Sequence, residues 1–84
     1  MSYLKSKVVT IDGVGEIEIR ELPAIAQIEM MEAKETPFEG LFVACRHGAF
    51  PDKSVDEIKR MLTMKMANDI AAAVFELSGV DIKN

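Results

Sequence analysis

Two reactive side-chain types meet at one place in this chain of 84 residues, Cys45-Arg46-His47. A thiol beside an imidazole is what a covalent hydrolase uses as nucleophile and base, and what a zinc site uses as two of its ligands. Both uses need the side chains to converge on one point. Residues at i and i+2 of a helix point in different directions. A zinc site also takes about four ligands, and this sequence has one Cys and one His. The residues point instead to a buried Cys45 acting as a small apolar group. His47 is then expected near a helix C-terminus, where a cation is favoured.

Two further groups fail as sites for similar reasons. Asp12-Gly13-Val14-Gly15 has neither phosphate-loop spacing and opens a strand, not a helix. Glu29, Glu32 and Glu35 spread along a helix face, whereas a calcium loop needs an Asp-rich, glycine-hinged pattern. A solvated face is expected for them. No catalytic residue, metal site or cofactor is expected, so the protein is read as not an enzyme.

The methionines are more suggestive, with six in the chain. Met30, Met31, Met61, Met64 and Met66 all fall on expected helices. Methionine is flexible and polarizable, and recurs on surfaces that accept varied apolar partners. Core filling is expected for Met31, Met61 and Met66. Met30 and Met64 lie off the main apolar stripes and are expected in an exposed patch, which usually means a partner. The candidate partner-contact set is Met30 and Met64, with Met61 and Met66.

These side chains need elements to carry them. Val8-Val9-Thr10-Ile11 is β-branched, Asp12-Gly13 is a turn signal, and Glu16-Ile17-Glu18-Ile19-Arg20 alternates polar and apolar. That is a hairpin over about 7–20, with Ile17 and Ile19 toward a core. A lone hairpin is marginal in water, so it must pack on something. Pro23 suits a helix start, and Thr36-Pro37 ends that helix, giving about 23–35 with Ile25, Ile28 and Met31 on its inward stripe. The continuous apolar run Leu41-Phe42-Val43-Ala44-Cys45 fits a short helix or a buried strand. A helix at 39–48 is preferred, although periodicity does not separate the two.

Ser54-Val55-Asp56-Glu57 matches a capping box and opens a helix over about 54–62, with Val55, Ile58, Met61 and Leu62 inward. Thr63 marks a break or a new N-cap. The last helix, about 64–78, carries Met66, Ala67, Ile70, Ala73, Val74 and Leu77 at spacings of three and four. Gly79 then serves as a left-handed stop, with Val80 as its apolar follower, and 81–84 is expected to fray. The fold class expected is α+β: one domain, with an N-terminal β-hairpin packed on a small bundle of three to four helices.

Composition narrows the function classes. The net charge of −4 disfavours nucleic-acid binding, which needs a basic face. A single cysteine rules out an intrachain disulfide and fits a reducing compartment. Met1-Ser2-Tyr3-Leu4-Lys5 has no apolar signal-peptide core, and no run reaches the ~18–20 residues of a membrane span. A soluble intracellular protein without nucleic-acid or membrane partners is expected.

The order of these phrases resembles the tail assembly chaperones of long-tailed bacteriophages. The likeness is carried by Ile11-Asp12-Gly13 and Glu18-Ile19-Arg20-Glu21-Leu22-Pro23, then by Leu41-Phe42-Val43-Ala44-Cys45. Ser54-Val55-Asp56-Glu57-Ile58 and Leu77-Ser78-Gly79-Val80 complete it, so that it covers most of the chain. The resemblance implies a non-enzymatic protein of the bacterial host cytoplasm, left out of the mature virion. Such proteins coat the helical tape measure protein, keep it soluble, recruit tail tube protein and often form homo-oligomers. Many also exist in a longer, frameshifted form, and Lys83-Asn84 is compatible with an A-rich slippery run. The family has no catalytic motif, so no site residue carries over. Two other readings stay open: a small structural tail or neck component, found in particles, and an acidic inhibitor of a host factor, whose binding would weaken steeply with salt.

Overall fold

The Asp12-Gly13 step turns the chain back on itself. Val14 N–H donates to Ile11 C=O at 2.9 Å. Gly13 and Gly15 take φ of +86° and +100°, a region that a side chain makes costly. The turn joins β1 (Ser6–Ile11) to β2 (Gly15–Arg20), antiparallel from Ile11↔Gly15 to Ser6↔Arg20. Alternation puts Val9, Ile11, Ile17 and Ile19 on one face and Val8, Thr10, Glu16 and Glu18 on the other. Ile11 and Ile19 are buried and Val9 and Ile17 half-buried, while Val8 and both glutamates are exposed. The open end is tied by Glu21 N–H donating to Lys5 C=O at 3.0 Å and Lys5 N–H donating to Glu21 Oε1 at 2.8 Å.

The computed structural model describes residues 3–32 and 38–79. After the hairpin come α1 (Ala24–Glu32), α2 (Glu39–Gly48), α3 (Val55–Met61) and α4 (Met64–Ser78). The fold is therefore α+β, a hairpin followed by four helices. The expected end of α1 at Glu35 and Thr36-Pro37 lies outside the described residues, as do Val80 and the 81–84 tail. The ambiguous apolar run is helical, within α2. Its Phe42, Val43, Ala44 and Cys45 are all buried, which is why no single apolar stripe was visible.

The helix ends follow local chemistry. Pro23 C=O accepts from Ala26 N–H at 3.0 Å as α1 begins. Ser54 Oγ accepts from Glu57 N–H at 3.1 Å, and Glu57 Oε1 accepts from Ser54 N–H at 2.9 Å, a complete capping box. These bonds from Ser54 hold the Glu57 carboxyl below its ordinary pKa. Thr63 is a new N-cap, its Oγ1 accepting from Met66 N–H at 3.1 Å. Gly79 closes α4 with φ +71°.

α4 organises the core, because it packs on α2 and on both strands. Its Ala67, Ile70, Ala71 and Val74 are buried together with Cys45, Ala44, Phe42, Ile58, Ile11 and Ile19. Small residues set the spacing. A Cβ at Gly48 would lie 2.5 Å from Val74 Cγ2 and 2.7 Å from Cγ1, so α2 and α4 meet where only glycine fits.

A second tie links the hairpin exit to the end of α4. Leu22 N–H donates to Ser78 Oγ at 2.8 Å, and Ser78 O–H donates to Val74 C=O at 2.8 Å. Leu22 itself is buried. Ser78→Ala would strand a part-buried amide in the segment between β2 and α1. We expect it to cost about 1–2 kcal/mol in urea unfolding, with Ser78→Thr recovering part of the loss.

Candidate functional site

α1 is almost evenly apolar around its circumference: Ala24, Ile25, Ala26, Ile28, Met30 and Met31 leave few polar positions. Such a helix has no preferred face of its own. Packing on α2 chooses the face with Ala26 and Met30. Ala26 is fully buried, and Met30 is half-buried, with its Cβ and Cγ 3.9 Å from where a Gly40 Cβ would sit. The small Ala26 is buried completely on this face, and Met30 packs over Gly40.

This reverses the expected orientation of α1. Ile25, Ile28 and Met31, the expected inward stripe, are 53%, 50% and 71% exposed. Met30, expected in an exposed patch, faces the core instead. Glu29, expected on a solvated face, is half-buried against α2, where His47 Nε2 donates to its Oε1 at 2.8 Å. Glu32 is exposed, and Glu35 lies outside the described residues.

The remaining methionines divide. Met61, expected in the core, is 43% exposed, because Ile58, Val55 and Leu62 already fill the inward side of the two-turn α3. Met64 is exposed to the same degree, at the first position of α4. Met66 is half-buried and reaches the hairpin turn, where its Cε would lie 2.8 Å from a Cβ on Gly13. Exposure therefore singles out Met61 and Met64 at the α3–α4 corner and Met31 on α1. Met30 and Met66 do structural work.

Cys45 and His47 serve different neighbours. Cys45 is fully buried, and its Sγ–H donates to Ala67 C=O of α4 at 3.4 Å. Burial pushes the thiol up to about 12, whereas a nucleophile or metal ligand must be a thiolate. His47 turns toward α1 and Glu29, with Arg46 Nη1 3.4 Å from its Nε2. Arg46 Nε also donates to Lys53 C=O at 3.0 Å, bracing the loop before α3. Among the described residues no group of three His, Cys, Asp or Glu side chains could hold a metal.

Beside the exposed stripe of α1 lies an open apolar depression of about 240 Å³, lined by Leu22, Gln27, Met30 and Met31. Gln27 is the one polar side chain in this lining. No helix among the described residues is long and apolar enough to cross a membrane. The Ile25–Ile28–Met31 stripe and this depression form the candidate site, an apolar docking surface. No family model, curated protein or solved structure matches this chain.

Proposed function

We propose that this chain is a non-enzymatic assembly chaperone that covers apolar helical segments of a larger partner. The likeness of its sequence to phage tail assembly chaperones makes that partner a tape measure protein, with tail tube protein recruited later and a homo-oligomer as the working form. The host cytoplasm is then its place of action. The observation that carries this reading is the exposed face of α1. Three large apolar side chains at helical spacing stand in solvent beside an open apolar depression. That is the surface a helix-in-groove contact uses, and an acidic net charge favours solubility of the resulting complex.

Co-expression with a long helical tape measure protein tests it. The expected result is a tape measure protein that becomes soluble and elutes with this chain. A partner that stays insoluble, with no complex formed, would overturn the proposal.

A further inference from the structure

The face of α1 has a charge as well as a shape. Ile25, Ile28 and Glu32 follow one another at spacings of three and four, so the apolar stripe runs directly into a carboxylate. Glu29 and Glu32 occupy the last described turn of α1, which contains no basic residue. Glu29 is hydrogen-bonded to His47, whereas Glu32 is exposed and makes no ion pair with another described residue. The nearby acids Glu21 and Glu39 are already engaged, by Lys5 N–H and by Lys59 Nζ at 2.8 Å. Among the described residues of α1, Glu32 is thus the carboxylate left without a partner.

We infer that the α1 face binds one amphipathic helix of a partner whose apolar anchors are flanked by lysine or arginine. Ile25 to Met31 spans about 9 Å of axis at the ~1.5 Å rise per residue, enough to meet two successive turns of a facing helix. The depression lined by Leu22, Gln27, Met30 and Met31 takes one large apolar anchor. A basic side chain beside that anchor meets Glu32. Charge decides against the other occupants. A second copy joined symmetrically through α1 offers Glu32 no cation from that helix, which has no basic residue over Ala24–Glu32. An anionic membrane surface attracts basic segments and repels this one.

The inference rests on the reading of the chain as a binding module and adds the chemistry of what is bound. Two labelled helical peptides of equal length test it. Both carry leucine at i, i+3 and i+7, one with lysine flanks and one with glutamate flanks, and both are titrated by fluorescence anisotropy. The lysine peptide should bind at least about ten-fold more tightly, with the advantage shrinking at high salt. Glu32→Lys should weaken it about two- to five-fold. Ile28→Asp, at a position 50% exposed, should weaken it about ten-fold or more.

Equal binding of the two peptides, or binding indifferent to Ile28→Asp, would overturn the inference. So would sedimentation showing a self-associated wild type that Ile28→Asp dissolves while neither peptide binds. The chaperone reading fails separately. A tape measure protein kept soluble by wild type and by Ile28→Asp alike leaves the chaperone standing and removes this face. A lysine peptide bound through Ile28, with the tape measure protein still insoluble, does the reverse.

Discussion

Gly48→Ala should destabilise the fold by about 2–3 kcal/mol, although alanine is the better helix former by roughly 0.5–1 kcal/mol. Gly48 is in the last turn of α2, and the added Cβ would lie 2.5, 2.7 and 3.1 Å from Val74 Cγ2, Cγ1 and Cβ. Rotating Val74 does not relieve this, because both methyls and the branch carbon are too close. The helices must part, and the fully buried Ala44, Cys45, Ala67 and Ile70 lose contact together. For a chain of this size the change amounts to roughly 10–20 °C in Tm. Thermal unfolding measures it. Val74→Ala opens room at the same spot, so the double variant should be more stable than the two separate losses predict, by about 1 kcal/mol or more. A neutral Gly48→Ala would mean that α2 and α4 stand further apart than described.

Alkaline pH should unfold the protein through Cys45. The thiol is pushed up from an ordinary 9.0 to about 12, chiefly by burial. In the unfolded chain it ionises near the ordinary value. The sign follows from which state holds the proton. Below pH ~9 both states are protonated and the contribution is fully present. As pH rises toward 12 the unfolded chain releases a proton that the folded chain keeps, and stability is lost. Between about pH 8 and about pH 11 this amounts to about 2–3 kcal/mol. Cys45→Ala removes the titration at the expense of a small void, so its stability should fall by that much less over the same interval. Urea midpoints at each pH, compared between the two proteins, read the difference. Parallel curves would mean that Cys45 is accessible and ionises normally. The same burial predicts that a thiol reagent labels Cys45 only at the rate at which the structure opens.

These two positions show unequal legibility. Cys45 as a buried small apolar group is readable from its type and its apolar neighbours. Gly48 is not, since a glycine near a helix end is usually a stop signal, and nothing local says that Val74, 26 residues on, fills the missing side chain's place. Ser78 is similar. Its position before Gly79 marks a helix end, but its acceptance of the Leu22 amide depends on a contact across the molecule.

The site divides along the same line. The Asp12-Gly13 turn, the Ser54–Glu57 box, the Thr63 cap and the Gly79 stop all lie where the residues say, because each donor and acceptor is within a few positions of its partner. The register of Ile17 and Ile19 follows too, since a strand has only two faces. α1 is different. With apolar side chains nearly all round, its spacing supports two opposite faces equally well, and packing on α2, with Ala26 buried and Met30 over Gly40, settles the matter. That choice turns Ile25, Ile28 and Met31 outward, draws Met30 inward and brings Glu29 to His47. Local hydrogen bonds and period-two alternation belong to short stretches of chain. The face that a nearly uniform helix presents belongs to whatever packs against it, and here that was decided only when α1 met α2.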